Sequence, residues 1–114
     1  MTWDDVGTLV LGLPGTVEGT SYGTPSFRVG KKFLTRLRED GETLVVPIGG
    51  VDEREALIES APKVYFLTEH YRDWPTVLVR LPEAGPEHVS GLLLQAWRRL
   101  SGKRMLAAYD AEHA

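Results

Sequence analysis

The chain contains no cysteine. Without a thiol there is no disulfide framework, no thiolate ligation of zinc or iron–sulfur clusters and no cysteine nucleophile, and such a composition suits a reducing compartment. Histidine is scarce as well. The three present, His70, His88 and His113, form no H-x-x-x-H or H-E-x-x-H spacing, so neither a metal site nor a cofactor is expected. No stretch approaches the ~20 apolar residues of a membrane-spanning helix, and the N-terminus lacks a basic start followed by a long apolar run. A soluble, cytoplasmic protein with no membrane partner is the expectation. Gly12-Leu13-Pro14-Gly15 and Gly49-Gly50 read as turn punctuation rather than phosphate loops, and Ser21 and Ser26 lack the setting of a nucleophile elbow. Nothing in the pattern asks for an enzyme.

What is present fits one domain spanning residues 1–114, with 42% hydrophobic and 25% charged residues. The formal net charge of -3 gives the molecule no general attraction for polyanions. Its charges nevertheless fall in blocks. Between residues 28 and 38 stand Arg28, Lys31, Lys32, Arg36 and Arg38 with no carboxylate among them, although Glu39, Asp40 and Glu42 follow at once. A second basic group, Arg98, Arg99, Lys103 and Arg104, lies near the end of a helical pattern, where cations also complement the helix dipole.

The coarse structure follows from capping, periodicity and turn chemistry. Thr2 before Asp4 and Asp5 opens a short helix with Val6, Leu9, Val10 and Leu13 on one face, ended by Pro14-Gly15. A Gly- and Thr-rich linker is expected next. Phe27 and Val29, then Phe33, Thr35 and Leu37, alternate with polar residues around a three-residue loop at 30–32 that pairs Val29 with Phe33 and Phe27 with Thr35. That register buries Phe27, Val29, Phe33 and Leu37 and leaves Arg28, Arg36 and Arg38 on the outer flank, with Lys31 and Lys32 at the tip. A two-residue turn at Gly30-Lys31 would instead oppose Arg28 to Phe33. The loop Glu39–Glu42 then places Leu44, Val46 and Ile48 on the same inner face. Asp52 is expected to cap a helix stopping before Pro62; Val64–Leu67 and Thr76–Leu81 form a second strand pair. A late helix carries Val89, Leu92, Leu93, Ala96, Trp97 and Leu100 on one stripe, and a last helix restarts near Ser101. The fold class is α+β, an antiparallel β-sheet built from two hairpins or a meander, with N-terminal and C-terminal helices packed on it.

In order along almost the whole chain, Leu13-Pro14-Gly15, the run from Tyr22 to Phe33, His70-Tyr71, the run from Trp74 to Leu81 and Ala96-Trp97-Arg98-Arg99-Leu100 resemble the MmcQ/YjbR-like family. The resemblance implies a frataxin/CyaY-like fold and a DNA-binding role in which two hairpins act as a double wing.

Two functional expectations follow. In the first, Arg28, Lys31, Lys32, Arg36 and Arg38 form a basic hairpin that contacts nucleic-acid phosphates, with DNA as partner; phosphate contacts position a protein without reading sequence. In the second, a non-enzymatic interaction or small-ligand-binding domain uses a cleft near Tyr22, His70, Tyr71 and Trp74, where exposed aromatics beside an arginine can stack on unpaired bases or line a small pocket. One continuous positive surface joining the two basic groups would favour the first. Cations kept apart by carboxylates would favour the second.

Overall fold

Thr2 begins the first helix as the sequence implies. Its hydroxyl accepts from the Asp5 amide while the Asp5 carboxylate accepts from the Thr2 amide, a reciprocal capping box at the head of α1 (Trp3–Val10). Val6 and Val10 are fully buried, and the Trp3 ring stacks on Phe27 with centroids 4.7 Å apart. The computed structural model describes all 114 residues. After α1 come β1 (Thr16–Ser21), β2 (Thr24–Val29), β3 (Lys32–Leu37), β4 (Thr43–Pro47), α2 (Val51–Ser60), β5 (Tyr65–Phe66), β6 (Thr76–Arg80), α3 (Pro86–Leu100) and α4 (Lys103–Glu112). The strands form one antiparallel six-stranded sheet in the order β1-β2-β3-β4-β6-β5, which with four helices makes the fold α+β. No helix is long and apolar enough to cross a membrane.

The expected linker is largely strand. Residues Thr16 to Ser21 pair with Val29 to Thr24 as an edge strand, joined to β2 by the two-residue turn Tyr22-Gly23. Both turn residues have positive φ, 55° and 77°, the arrangement whose twist suits a tight hairpin.

The β2–β3 hairpin departs from simple alternation. Its turn is Gly30-Lys31, with Gly30 at φ 62°, so Val29 opposes Lys32 and Arg28 opposes Phe33; one step further Phe27 opposes Thr35. The two-residue turn puts Phe33 on the face opposite the core, and Leu34, the extra residue of a β-bulge, returns Thr35 and Leu37 to the facing that alternation predicts. The expected burial of Phe33 is therefore corrected: Phe33 is half-buried on the opposite face, while Leu34 is 0% exposed in the core. Thr35 turns inward beside it and satisfies its hydroxyl by donating to the Val45 carbonyl at 2.6 Å. Beyond the bulge the expected register resumes, Leu37 opposite Leu44 and the Arg38 amide donating to the Thr43 carbonyl.

One face of the sheet carries the core. Phe27, Val29, Leu34, Leu44, Val46, Ile48, Val77 and Val79 meet Val89, Leu93, Ala96 and Trp97 from α3. Trp97 is wholly buried, donates its indole N–H to the Pro14 carbonyl at 2.8 Å and packs against Tyr109 of α4. At the end of the sheet α2 contacts β5 and β6. It starts at Val51 behind Gly50 with no side-chain cap; Asp52, expected to cap it, already lies inside the helix, and Glu53 instead accepts from the Gly49 amide.

Candidate functional site

Alternation across β2, β3, β4 and β6 turns Arg28, Phe33, Arg36, Val45, Pro47 and Thr76 away from the helices. On that helix-free face they floor an open cleft of about 780 Å³, with the β1–β2 turn as one wall and the segment between β5 and β6 as the other.

Arg36 is the centre of the cleft. It was expected on a solvated flank, but it is only 7% exposed because it is tied on every side. One guanidinium nitrogen donates to the Thr24 hydroxyl at 3.1 Å and to the Glu39 carboxylate at 3.4 Å, and the other to the Tyr71 hydroxyl at 3.0 Å. The Tyr22 ring lies over the same group, 5.1 Å from its carbon. Glu39, held below the ordinary glutamate range first by its own backbone N–H and then by the Arg36 charge, is the single carboxylate lining the cleft.

The Tyr22 wall is shaped by Arg28, whose guanidinium donates to the Thr20 carbonyl at 3.0 Å and the Ser21 hydroxyl at 3.2 Å; Ser21 donates onward to Ser26. The far wall is set from α2. Arg54, only 3% exposed, donates to four carbonyls of the segment before and at the start of β6: Tyr71 at 3.1 Å, Arg72 at 2.8 Å, Trp74 at 2.7 Å and Thr76 at 3.2 Å. Residues Glu69–Tyr71 form a turn of 3₁₀-helix, and the His70 and Tyr71 rings meet edge to face at 4.9 Å.

The structure sorts the candidate residues as follows. Tyr22, His70, Tyr71 and Trp74 all line this cleft, and Arg28, Lys31 and Arg36 line it with them. Lys32 does not: it pairs with core-facing Val29, and its ammonium reaches the Leu100 carbonyl of α3 at 3.4 Å on the other side of the sheet. Arg38 is half-buried next to Glu39 and Asp40, whose carboxyls its charge helps to lower, and it does not line the cleft. The five cations thus divide among separate surroundings, because the two-residue turn puts Lys32 on the core-facing side while the bulge keeps Arg36 on the cleft side with Arg28. The second basic group stays apart too, because Arg98 forms a two-bonded pair with Asp110 at 2.8 and 3.2 Å and Arg99 faces Glu53 at 3.6 Å. No cluster of three His, Asp or Glu side chains is placed to hold a metal ion.

Sequence reasoning missed Arg54, Glu39 and the bulge. Arg54 did leave a signal: with Leu57, Ile58 and Ala61 it completes an i, i+3, i+4, i+7 stripe, so a charge sits in the apolar register of α2.

The family model described as YjbR matches residues 11–99, a span holding the whole cleft and Arg54. Uncharacterised proteins of Mycobacterium tuberculosis and Mycobacterium bovis are each 35% identical to this chain over 127 aligned positions, covering 96% of both partners. A crystal structure of a Deinococcus radiodurans protein with a DUF419 domain has the same fold, with a TM-score of 0.74 over 90% of this chain and 80% of that one at 21% identity. The resemblance first met in Tyr22 to Phe33 and Trp74 to Leu81 therefore extends through sequence and fold alike, and the chain belongs to the YjbR family.

Proposed function

We propose that the protein is a non-enzymatic binding domain that holds a small anionic ligand in the cleft of its helix-free face. The observation that carries this reading is the convergence of three cations, Arg28, Lys31 and Arg36, against one carboxylate, Glu39, in a concavity of about 780 Å³ that also presents Tyr22, Tyr71 and Trp74. Ligand pockets are concave, mostly preformed and of roughly 300–1,000 Å³. Neither Arg28 nor Lys31 forms an ion pair, so their charge is available to an incoming anion. Catalysis finds less support, since the Ser21 hydroxyl is engaged with Ser26 and Arg28 rather than with a base.

Thermal unfolding against a panel of small anions tests this. A ligand at 100 times its Kd stabilises the native state by about 2.7 kcal/mol. At least one anion is expected to raise the wild-type midpoint, and the double substitution Arg28→Gln with Lys31→Gln is expected to abolish the rise. A panel without any response, or a response that survives in the double variant, would overturn the reading.

The second reading is contact with DNA phosphates through the β2–β3 hairpin. Lys31, exposed at its turn and unpaired, favours it. The division of the five cations limits it, because Lys32 reaches across to α3 and Arg36 is already bonded within the cleft. With Arg28 and Lys31 the two cleft cations outside any ion pair, duplex affinity carried by the cleft face should fall with log salt at a slope of about -2. A steeper slope that Lys31→Ala and Lys32→Ala together flatten would transfer the function to the hairpin.

A further inference from the structure

The cleft presents more aromatic surface than an anion needs. Tyr22 is 84% exposed and Trp74 63% exposed, the two most exposed large apolar side chains in the molecule, and both face the same concavity. Each is held there by a specific device. Tyr22 sits at φ 55° in a turn position that asparagine or glycine fills without strain, so the backbone accepts an unfavourable residue to place this ring. One side of the ring faces the Arg36 guanidinium, which leaves the other side open. Trp74 stands on a segment whose carbonyls at 71, 72, 74 and 76 are gathered by Arg54, so its exposure does not come from a loose loop. Strained or expensively fixed residues of this kind gather at ligand sites.

We propose that the ligand is a planar base carrying a phosphate, a nucleotide unit, with its ring stacked on the open faces of Tyr22 and Trp74 and its phosphate at Arg28 and Lys31. The assignment rests on the cleft reading and adds the ring to the anion. Aromatic side chains beside cations recognise bases by stacking and backbone phosphates by charge, with little dependence on which base is present. Three cations against one carboxylate match a doubly charged phosphate better than a single carboxylate. The shared chemistry has two sources, a free nucleotide and an unpaired nucleotide within a single strand.

Tryptophan fluorescence reads the site. Trp97 is wholly buried and Trp3 is stacked on Phe27, so quenching by a ligand reports Trp74. The probes are the four nucleoside 5′-monophosphates, the matching nucleosides, ribose 5-phosphate, and eight-nucleotide single strands. At least one monophosphate is expected to quench saturably, with its nucleoside and ribose 5-phosphate each about tenfold weaker. Tyr22→Asn, which suits the positive φ and keeps the turn, is expected to weaken that monophosphate about tenfold without lowering the unfolding midpoint. Tighter binding of a single strand than of the monophosphate assigns the unpaired strand as source, and the reverse order assigns the free nucleotide; either supports the proposal. Ribose 5-phosphate binding as tightly as every monophosphate, or undiminished monophosphate binding by the Tyr22→Asn variant, would overturn the ring assignment while leaving the anion cleft standing. No response to any monophosphate or strand would also overturn it, whereas the cleft reading itself falls only if the wider anion panel fails as well.

Discussion

Replacing Arg54 by Met tests whether one buried cation holds the far wall of the cleft. The guanidinium makes four hydrogen bonds to carbonyls and no ion pair, and its residue is 3% exposed. Hydrogen bonds from a charged donor contribute roughly 1.5–3 kcal/mol each, a gross gain of about 6–12 kcal/mol, against which burial of an ion costs several kcal/mol. Methionine removes both terms and fills much of the volume. It leaves the buried Thr76 carbonyl short of a partner, at roughly 1–3 kcal/mol, while the carbonyls of Tyr71, Arg72 and Trp74 are only part-buried and can turn to water. A net loss of about 2–4 kcal/mol is expected. With a urea m-value of about 2 kcal/mol/M, the unfolding midpoint should fall by about 1–2 M at constant slope. Hydrogen exchange should show the loss locally as well, in the amides of Trp74 and Thr76, which donate within this segment to Tyr71 and Trp74. Arg54→Lys, with one compact ammonium for four acceptors, should fall between wild type and methionine. A midpoint that moves by less than about 0.3 M with unchanged exchange would refute the pinning argument.

Two further expectations concern the sheet and its loops. Because the two-residue turn leaves Phe33 outside and Leu34 in the core, Leu34→Ala should cost about 2–5 kcal/mol and Phe33→Ala distinctly less, by denaturant unfolding; the reverse order would refute that register. Asp40 accepts from the Thr43 hydroxyl at 2.6 Å and from the Glu42 and Thr43 amides at 2.9 Å, and these bonds, that of the hydroxyl foremost, hold its carboxyl below the ordinary value of 3.8. A depressed acid stabilises the fold fully above its unfolded value and loses that contribution as pH falls through the folded one. The stability gap between wild type and Asp40→Asn should therefore close between about pH 5 and pH 2, and a gap independent of pH would refute this assignment.

The elements with one apolar face were legible in the sequence. Thr2 and Asp5 gave the start of α1, the stripe from Val89 to Leu100 gave α3, and the loop Glu39–Glu42 gave the β3–β4 register. β1 was not legible because, as an edge strand, it buries only Ser21, so Thr16 to Ser21 has no apolar alternation to read. The bulge was hidden for a different reason: Phe33, Leu34 and Leu37 offer an apolar residue to either face, and periodicity cannot choose where the step occurs. The aromatic members of the cleft were within reach from their turn and loop positions. Arg36 and Arg54 were not read as buried, since a charge normally marks the solvent side and only the acceptors gathered from distant segments reverse that rule.

The two walls of the cleft differ in how firmly they are attached. β1 has a single ladder partner, buries almost none of its side chains and is otherwise fastened at Thr20 and Ser21 by Arg28. Peeling it from β2 exposes little apolar surface, so this strand and its turn can open as a local unit while the core stays closed. The Trp74 wall has no such freedom, because releasing it would strand a buried guanidinium. Of the two walls, the one that carries Tyr22 is therefore the one free to adjust its position around a bound molecule, at the cost of one edge strand's pairing rather than of the stability of the whole domain.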